Sequence, residues 1–409
     1  MDTSPSTEAP PTDEWCEDHF DYGSHVLGSH LHDALARMRA RCPVTRTDQY
    51  GGHWVVTGYE DVLGIAQDWK TFSSAKGVGL TNIEVVVPPI PEWSDPPIHR
   101  EYKRLINAYF TPAVVSRYEQ PIRALVDRLI DEFIEKGECE FMAEFARPFP
   151  GLAFFDQVLH APADQLVEIN EMSTAASTPN HPQGRQAWEG MFKWMKEFVA
   201  QRRQQPPQGD VVDAILAAEI EDRPITDTEV YGLIQLLILG GLDTTAGALG
   251  QFMIRFAREP EIPRQLRSQP ELIPEAVEEL LRLDGPFVFI GRTATVDCEI
   301  GGRTVKEGER VLISWASANR DASEFSEPDE FDLSRKSIRH LAFGAGPHRC
   351  AGSNFARMNL RIALEALVGR LQGIELKEGS VPIEFHSAFN RAPLQVPITF
   401  APGPRLGVA

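Results

Sequence analysis

Residues 343–352 read Phe-Gly-Ala-Gly-Pro-His-Arg-Cys-Ala-Gly, a glycine-rich loop that leads into an amphipathic helical segment from Ser353 to Gly369. The loop places one cysteine, Cys350, at the N-terminal end of that segment. Unpaired backbone N–H groups and the helix dipole favour negative charge at such an end, so they lower the pKa of a thiol there. The sequence therefore predicts that Cys350 is a thiolate, which can bind a soft metal.

The other residues of the loop suit a flat cofactor. Gly344, Gly346 and Gly352 lack a Cβ atom, which permits positive φ angles and lets the backbone approach a ligand closely. Phe343 would shield the edge of the sulfur from water. A lone cysteine is more often an ordinary buried residue in a turn, and only the order of the residues around it favours a ligand.

That order resembles the haem-binding signature of the cytochrome P-450 family: Phe, two residues, Gly, one residue, His or Arg, one residue, Cys, one residue, Gly. The chain carries Phe343, Gly346, His348, Cys350 and Gly352 in this register. The resemblance implies a mainly α fold with a smaller β region, in which haem b lies between a long oxygen-binding helix and the helix after the cysteine loop. It also implies that Cys350 is the axial iron ligand and that Phe343, Gly344 and His348 contact the haem.

Length and charge limit the classes of protein that the chain can belong to. Its 409 residues would allow two or three domains, but Pro and Gly are scattered and no linker or internal repeat divides the chain. We therefore expect a single domain over residues 15–409. The net charge of −19 argues against nucleic acid as a partner.

The N-terminal residues 1–14 are polar, acidic and rich in Pro, Ser and Thr. They predict a disordered tail that is neither a signal peptide nor a membrane anchor. The five cysteines form no CxxC pair and no regular framework. We therefore expect no disulfides, and we expect the protein to lie in a reducing, cytoplasmic location.

A long helix is predicted between Thr226 and Glu259. Thr226 and Glu229 form a capping box, and no proline interrupts the roughly 50 Å that these residues would span at about 1.5 Å each. The apolar run Leu233–Leu242 is too short to cross a bilayer. We expect one continuous helix that crosses the molecule.

The centre of this helix contains Gly240, Gly241, Asp243 and Thr244. Two glycines cost about 1 kcal/mol each relative to alanine, a cost that a helix accepts where something else must fit. On local grounds Thr244 could simply bond back to the carbonyl of Gly240, with Asp243 at the surface. The resembled family has the same pattern in its oxygen-binding helix. It implies that Gly240 adjoins the haem, that Thr244 holds a water and that Asp243 relays protons from solvent.

A third motif begins at Asp95, a predicted N-cap, and places His99 and Lys103 on one helix face. A solvated basic face would explain this spacing equally well. The family has a His and, four residues on, an Arg that bind a haem propionate, so the resemblance implies His99 and Lys103 here, with Arg104 adjacent. The lysine keeps the charge but loses the bidentate fork.

Two further elements match the family. Glu279 and Arg282 are three residues apart and could be a surface ion pair worth under about 1 kcal/mol. The resemblance instead implies that they buttress the haem pocket as structural residues. Arg292, at the end of an apolar segment, would meet the second propionate.

Similarity to soluble bacterial enzymes of the camphor-hydroxylating type extends over nearly the whole chain, but the pocket differs. No tyrosine lies between Phe72 and Asp95, so no phenol can donate to a substrate there, and a terpenoid or aromatic substrate is implied. The apolar candidates for the pocket are Val85, Val87, Leu236, Leu239, Phe287, Val288 and Phe389.

The resemblance implies a monooxygenase that inserts one oxygen atom of O2 into a C–H bond of a small apolar substrate. Its electrons would come from a 2Fe–2S ferredoxin and an NAD(P)H-dependent reductase, with no membrane involved. A basic docking patch is predicted from Arg100, Lys103, Arg104, Arg117, Arg349, Arg357 and Arg361. The alternatives are a peroxygenase, which would carry Arg-Pro instead of Asp-Thr in the long helix, and a haem-thiolate sensor without turnover.

Overall fold

The computed structural model describes residues 11–24, 27–80, 87–177, 182–380, 383–386 and 390–407. These residues form a mainly helical fold with smaller sheets, as predicted. The helices are α1 Asp13–Asp18, α2 Leu27–Arg41, α3 Tyr59–Gln67, α4 Ile98–Asn107, α5 Pro112–Val115, α6 Glu119–Asp131, α7 Pro148–Phe154, α8 Leu166–Ser177, α9 Gly184–Arg202, α10 Val211–Leu216, α11 Asp227–Gly241, α12 Asp243–Arg258, α13 Glu261–Ser268, α14 Ile273–Asp284, α15 Trp315–Ala318 and α16 Ser353–Arg370.

The strands are short and fall into several sheets. They are β1 Val44–Thr47, β2 His53–Val56, β3 Phe72–Ser73, β4 Glu138–Glu140, β5 Glu219–Ile220, β6 Arg223–Pro224, β7 Phe289–Ala294, β8 Cys298–Ile300, β9 Arg303–Val305, β10 Arg310–Ser314, β11 Gln372–Leu376, β12 Ile383–His386, β13 Arg391–Gln395 and β14 Pro397–Ala401. The largest sheet has the order β1-β2-β10-β7-β3, and within it β2 and β10 are parallel. A second sheet has the order β11-β14-β4.

The predicted long helix is interrupted once. Its capping box is present, because Thr226 accepts from the N–H of Glu229 and the Glu229 carboxylate accepts from the N–H of Thr226. The expectation of one continuous helix is wrong, since Leu242, with φ −93° and ψ −68°, separates α11 from α12. The preceding Gly241 lies against the ring of Phe154 in α7, where a Cβ atom would approach ring carbons to 2.9 Å.

α11 and α12 nevertheless form the central element of the core. They pack in the main apolar cluster with α6, α7, α14 and α16. Counted as one helix, residues 227–258 are long and apolar enough to cross a membrane, but 67% of the most apolar window is buried inside the protein. Such burial is what the core helix of a folded protein shows.

The described structure begins before the predicted domain boundary. Thr12 caps α1 by accepting a hydrogen bond from the N–H of Trp15 at 3.2 Å. Cys16 and Phe20 are buried in a cluster that packs α1 and α2 against the largest sheet. The boundary predicted between residues 14 and 15 thus falls inside α1, and residues 1–10 of the predicted tail lie outside the described residues.

Candidate active site

The cysteine loop is closed by its own backbone. The N–H of Cys350 donates to the carbonyl of Phe343 at 2.8 Å. Gly344 and Gly346 have φ angles of 67° and 65°, which side chains rarely adopt, and a Cβ on Gly346 would collide with the carbonyl of Ala66 in α3. Two of the three glycines are therefore required by the backbone conformation, whereas Gly352, at φ −80°, is the N-cap residue of α16.

The electrostatics of Cys350 differ from the prediction. The residue is exposed on one side, yet the protein packed around its sulfur raises the pKa of the thiol above its usual value. A hydrogen bond from the N–H of Gly352 and the positive charges of Lys103 and Arg349 act in the opposite direction and only partly offset this effect. The thiolate that we expected from the helix end alone therefore depends on a bound metal, because coordination deprotonates a thiol outright.

Phe343 is fixed by the ion pair behind it. The guanidinium of Arg357 lies over the Phe343 ring at 4.4 Å from its centroid and donates twice to Glu278, at 2.7 and 2.8 Å. The ring is half-buried against the main core cluster. The arrangement holds Phe343 beside the loop, and its predicted shielding of the sulfur stays a prediction.

Three basic side chains meet, and none of them forms an ion pair with a described residue. The rings of His99 and His348 are 4.4 Å apart, and their Nδ1 and Nε2 atoms, respectively, are buried with no hydrogen-bond partner among the described residues. Arg292 is 2% exposed and donates to the carbonyl of Gly291 at 2.8 Å, but no carboxylate of the described residues lies within ion-pair distance of it. Burial lowers the pKa of His99 to about 4, that of His348 to about 2 and that of Arg292 to about 10.

A buried guanidinium without a counterion is costly unless a ligand supplies the negative charge. The orphaned atoms of His99 and His348 and the unpaired Arg292 fit the two propionate groups of a haem, which are anions and hydrogen-bond acceptors. The residues that the sequence motifs selected for this cofactor are therefore brought together, although they come from α4, β7 and the cysteine loop.

Lys103 is the exception within this set. Its Nζ atom donates to the carbonyl of Arg349 at 2.5 Å and to the carbonyl of Pro347. Burial lowers the pKa of Lys103 to about 8. Lys103, which we predicted to bind a propionate, thus binds backbone carbonyls of the cysteine loop in this structure. The adjacent Arg104 is exposed.

The predicted N-cap of α4 is also wrong. Pro97 occupies the N-cap position, and Asp95 instead binds β3, where its carboxylate accepts from the N–H of Ser74 at 2.9 Å and from the hydroxyl of Ser73. Nearby, Glu92 is half-buried, and burial raises its pKa to about 7 despite the positive charge of Arg292. Sequence reasoning missed Glu92, which no motif marks.

One face of the broken helix is open. Leu236, Gly240 and Thr244 follow each other at intervals of four residues and are half-buried or exposed, although the helix runs through the core. In the part of the chain that the structure describes, no atom outside the adjacent residues and the backbone of the same helix turn lies within 4 Å of the position of a Cβ on Gly240. At Gly240 this face is therefore not covered by another element of the described chain.

The two polar residues at the helix break have separate partners. Thr244 Oγ1 donates to the carbonyl of Gly240 at 3.0 Å, as local reasoning allowed. Asp243 is half-buried, and its carboxylate accepts from Ser173 Oγ at 3.3 Å and lies 3.4 Å from Thr174 Oγ1, both in α8. Burial raises the pKa of Asp243 to about 6, and the two hydroxyls act against that rise. Nothing in the sequence pairs Ser173 with Asp243.

Glu279 and Arg282 form a buried ion pair rather than a surface one. Both side chains are fully buried and are joined by hydrogen bonds of 2.8 and 2.7 Å. Arg282 also donates to the carbonyls of Asn319, Pro328 and Glu330, while Arg335 and the N–H of Asp332 donate to Glu279. The pair therefore fastens α14 to residues 319–335, which precede the cysteine loop.

The apolar pocket candidates are spread over different surroundings. Val87 is 4% exposed, and its carbonyl accepts from the buried Gln235 at 3.0 Å. Leu239 packs against a small apolar cluster formed by residues of α8 and α9. Sequence reasoning treated Gln235 only as an interruption of an apolar run, although a polar residue there was a signal for a buried partner.

The remaining candidates include one that faces away from the others. Phe287 is half-buried and bridges to Asn390 through the backbone. Val288 is 2% exposed in the cluster that packs α1 and α2 on the sheet. Val85 and Phe389 lie outside the described residues.

Comparison with known proteins agrees with this arrangement. The family model "Cytochrome P450" matches residues 152–399. Linalool 8-monooxygenase of Pseudomonas putida is 31% identical over 84% of the chain and 90% of its own length. Nocardicin C N-oxygenase of Nocardia uniformis subsp. tsuyamanensis is 34% identical over 90% of the chain and 96% of its own length.

Among solved structures, a mutant of P450 EryK in complex with erythromycin B superposes with a TM-score of 0.84 at 27% sequence identity. The superposition covers 93% of this chain and 98% of that one. The similarity in sequence and in structure therefore extends over most of the chain. The chain belongs to the cytochrome P450 family, whose members are monooxygenases that bind haem b.

Proposed function

We propose that this P450 hydroxylates a small apolar substrate, a terpenoid or an aromatic compound, in the cytoplasm, with electrons from a 2Fe–2S ferredoxin and its NAD(P)H-dependent reductase. The observation that carries the proposal is the open face of Leu236, Gly240 and Thr244, which ends in the Thr244 hydroxyl next to Asp243 in the chain. Bound haem supplies the chemistry that activates dioxygen. The protein's own residues must hold the cofactor, place the substrate and deliver protons.

Cofactor binding falls to residues on three elements. Cys350 supplies the sulfur ligand, while His99, His348 and Arg292 take the propionates. Support for these roles comes from the orphaned imidazole atoms and the unpaired guanidinium among the described residues, which a carboxylate pair would satisfy. Because the three basic groups are buried, they also fix the orientation in which a haem can enter.

Proton delivery falls to Asp243 and Thr244. The hydroxyl proton of Thr244 is committed to the carbonyl of Gly240, so its oxygen is left as an acceptor for a water molecule. A water held in this way points its second proton towards the open face. With a pKa of about 6, Asp243 can take up and release protons near neutral pH and resupply that water.

The pocket that we propose consists of Val87, Leu236, Leu239 and Phe287, together with Val85 and Phe389. Val288 is left out because it is packed in the core cluster beneath the sheet. The lining offers apolar contacts and no phenol, which suits a hydrocarbon-rich substrate. The name of linalool 8-monooxygenase is consistent with a terpenoid substrate, whereas nocardicin C N-oxygenase is named for a different substrate.

The docking surface for the electron donor is narrower than predicted. Arg100, Arg104, Arg117 and Arg349 are exposed and form no ion pair with any residue of the described ranges. Arg100 and Arg104 line a groove of about 650 Å³ that runs along α4. Arg357 and Arg361, by contrast, are committed to Glu278 and to Glu119 and Glu365.

The test is a binding screen followed by turnover. Terpenoids and aromatic compounds are added to the ferric holoenzyme, and a low-to-high-spin shift of the Soret band reports displacement of the water on the iron. Compounds that shift the band are then supplied with ferredoxin, reductase, NAD(P)H and isotopically labelled O2. Labelled hydroxylated product supports the proposal.

Two outcomes would contradict it. Product formed from hydrogen peroxide alone, with none from the donor chain, would make the protein a peroxygenase. Spectral shifts without turnover under any donor would indicate a sensor.

A further inference from the structure

We infer that Lys103 is a positioning residue for the cysteine ligand: it holds the backbone of the loop that carries Cys350, instead of binding a haem propionate. The inference depends on family membership but not on the proposed substrate or electron donor. It assigns the residue a task in shaping the iron–sulfur bond.

Hydrogen bonds hold the peptide group between Arg349 and Cys350. The carbonyl that Lys103 binds at 2.5 Å belongs to Arg349, so it is part of the peptide whose N–H is that of Cys350. That N–H donates to the carbonyl of Phe343 at 2.8 Å. The peptide in front of Cys350 is therefore held at both ends, which fixes the direction in which the Cys350 side chain leaves the backbone.

A second contact restrains the loop two residues earlier. Lys103 Nζ also donates to the carbonyl of Pro347, the middle residue of the tight turn Gly346–His348. This turn is wedged against α3 by Gly346. Because α4 provides Lys103 and α3 provides the wedge, the loop is clamped between two helices.

The type of side chain matters for this clamp. An ammonium group is a compact charge with three donors, and it can converge on two carbonyl oxygens at once. The planar guanidinium of an arginine suits a carboxylate, which is the partner expected at this position of the family. The contacts in the structure therefore account for the departure from arginine that the sequence shows.

The clamp also adds positive charge beside the sulfur. A cation near a thiolate draws electron density away from the iron–sulfur bond and stabilises the ligand against protonation. Arg349 and Arg357 lie near the same sulfur, but Arg349 is exposed and Arg357 is paired with Glu278. Lys103 is the cation that combines proximity with a fixed position.

The experiment compares holoenzymes of Lys103→Met, Lys103→Gln and Lys103→Arg with the parent. Resonance Raman spectroscopy measures the iron–sulfur stretch and, separately, the bending modes of the propionates. We expect Lys103→Met to shift the iron–sulfur stretch and to convert part of the reduced carbon monoxide complex to the form without thiolate ligation. Lys103→Arg keeps the positive charge, but its planar guanidinium suits a carboxylate better than two carbonyls, so it should restore the parent iron–sulfur stretch only in part.

Arg104→Met serves as the control, because it removes a positive charge one residue further along α4 from an exposed position. It should leave the iron–sulfur stretch unchanged. If Lys103→Met takes up no haem, Lys103→Gln decides the matter, since its amide can still reach one carbonyl and should give a smaller shift. An unchanged iron–sulfur stretch with altered propionate modes would overturn the inference and return Lys103 to the propionate.

Discussion

At the scale of single residues, the chemistry of the site depends on whether local sequence or tertiary packing sets the charge of a group. The N-terminal end of α16 favours a thiolate at Cys350, yet the surrounding protein raises the pKa of the thiol. The sequence motif marks Cys350 as the candidate ligand, but the ionisation of its thiol also depends on burial, which the motif does not encode. We therefore test the ligand by its spectrum rather than by its reactivity.

Cys350→Ser should abolish the red-shifted Soret band of the reduced carbon monoxide complex. An alcohol does not supply the electron donation of a thiolate to iron, so the band should move to the position of a haem with a neutral ligand. Difference spectroscopy on the purified variant measures this. A spectrum equal to that of the parent would exclude Cys350 and direct attention to Cys298.

Thr244→Ala should uncouple electron flow from product formation. Without the hydroxyl, the water that we place on Thr244 loses its hydrogen-bond partner, and consumed oxygen should leave mainly as hydrogen peroxide. The ratio of peroxide to NAD(P)H consumed measures the loss. Thr244→Ser is the matched control, since it keeps the oxygen that bonds Gly240 and should keep most of the coupling; an Ala variant as well coupled as the parent would disprove the role.

Asp243→Asn should slow turnover by about 10²-fold, which is the lower end of the rate enhancement that a positioned proton donor contributes. In the parent, the protonated fraction of Asp243 falls as pH rises through its pKa of about 6. Proton-limited turnover should therefore decline with rising pH around that value, and the decline should be absent in Asp243→Asn. A pH profile of kcat with saturating ferredoxin measures both, and parallel profiles would contradict the relay.

At the scale of elements, α11 and α12 show why two adjacent glycines have different tasks. Gly241 is in contact with the ring of Phe154, whereas Gly240 faces the open side of the helix. The sequence presents them as an equivalent pair. Their difference arises only when α7 packs against the helix.

Gly241→Ala should destabilise the protein by about 1–3 kcal/mol, because the new Cβ atom would press on the Phe154 ring at 2.9 Å. Gly240→Ala should cost less, because its new Cβ atom meets no other element of the described chain within 4 Å and faces the space that we propose for haem. Chemical denaturation of the holoenzymes gives both changes in the free energy of unfolding. Equal effects of the two substitutions would contradict the packing explanation.

How much the sequence could predict depends on the separation of the interacting residues. The motifs around Cys350, Thr244 and Glu279 are local, so the sequence alone predicts the loop or helix in which each of them lies. The partner of Lys103 is more than 240 residues away and that of Asp243 is about 70 residues away, so neither follows from spacing along the chain. The cap at Asp95 failed for the same reason, since its carboxylate binds β3 rather than the helix that follows it.

At the scale of the whole molecule, the sequence gives the net charge but not which charged side chains stay unpaired at the surface. A net charge of −19 should repel an acidic ferredoxin, so docking needs a local surface of the opposite sign. The structure reduces the predicted patch by pairing Arg361 with Glu119 at 3.0 Å and with Glu365 at 2.9 Å. Two arginines on α4, Arg100 and Arg104, stay exposed and unpaired within the described part of the chain.

Reversing Arg100 and Arg104 to Glu should lower the on-rate of ferredoxin by about tenfold or more, because electrostatic steering contributes roughly 10- to 10³-fold. The dependence of the on-rate on ionic strength should flatten, while the affinity for substrate stays at the parent value. Stopped-flow reduction at several salt concentrations measures the rate. The control reverses Arg185 and Lys193, two exposed cations of α9, and so changes the net charge by the same amount. If both pairs slow the reaction equally, net charge alone governs docking and the α4 surface has no specific part in it.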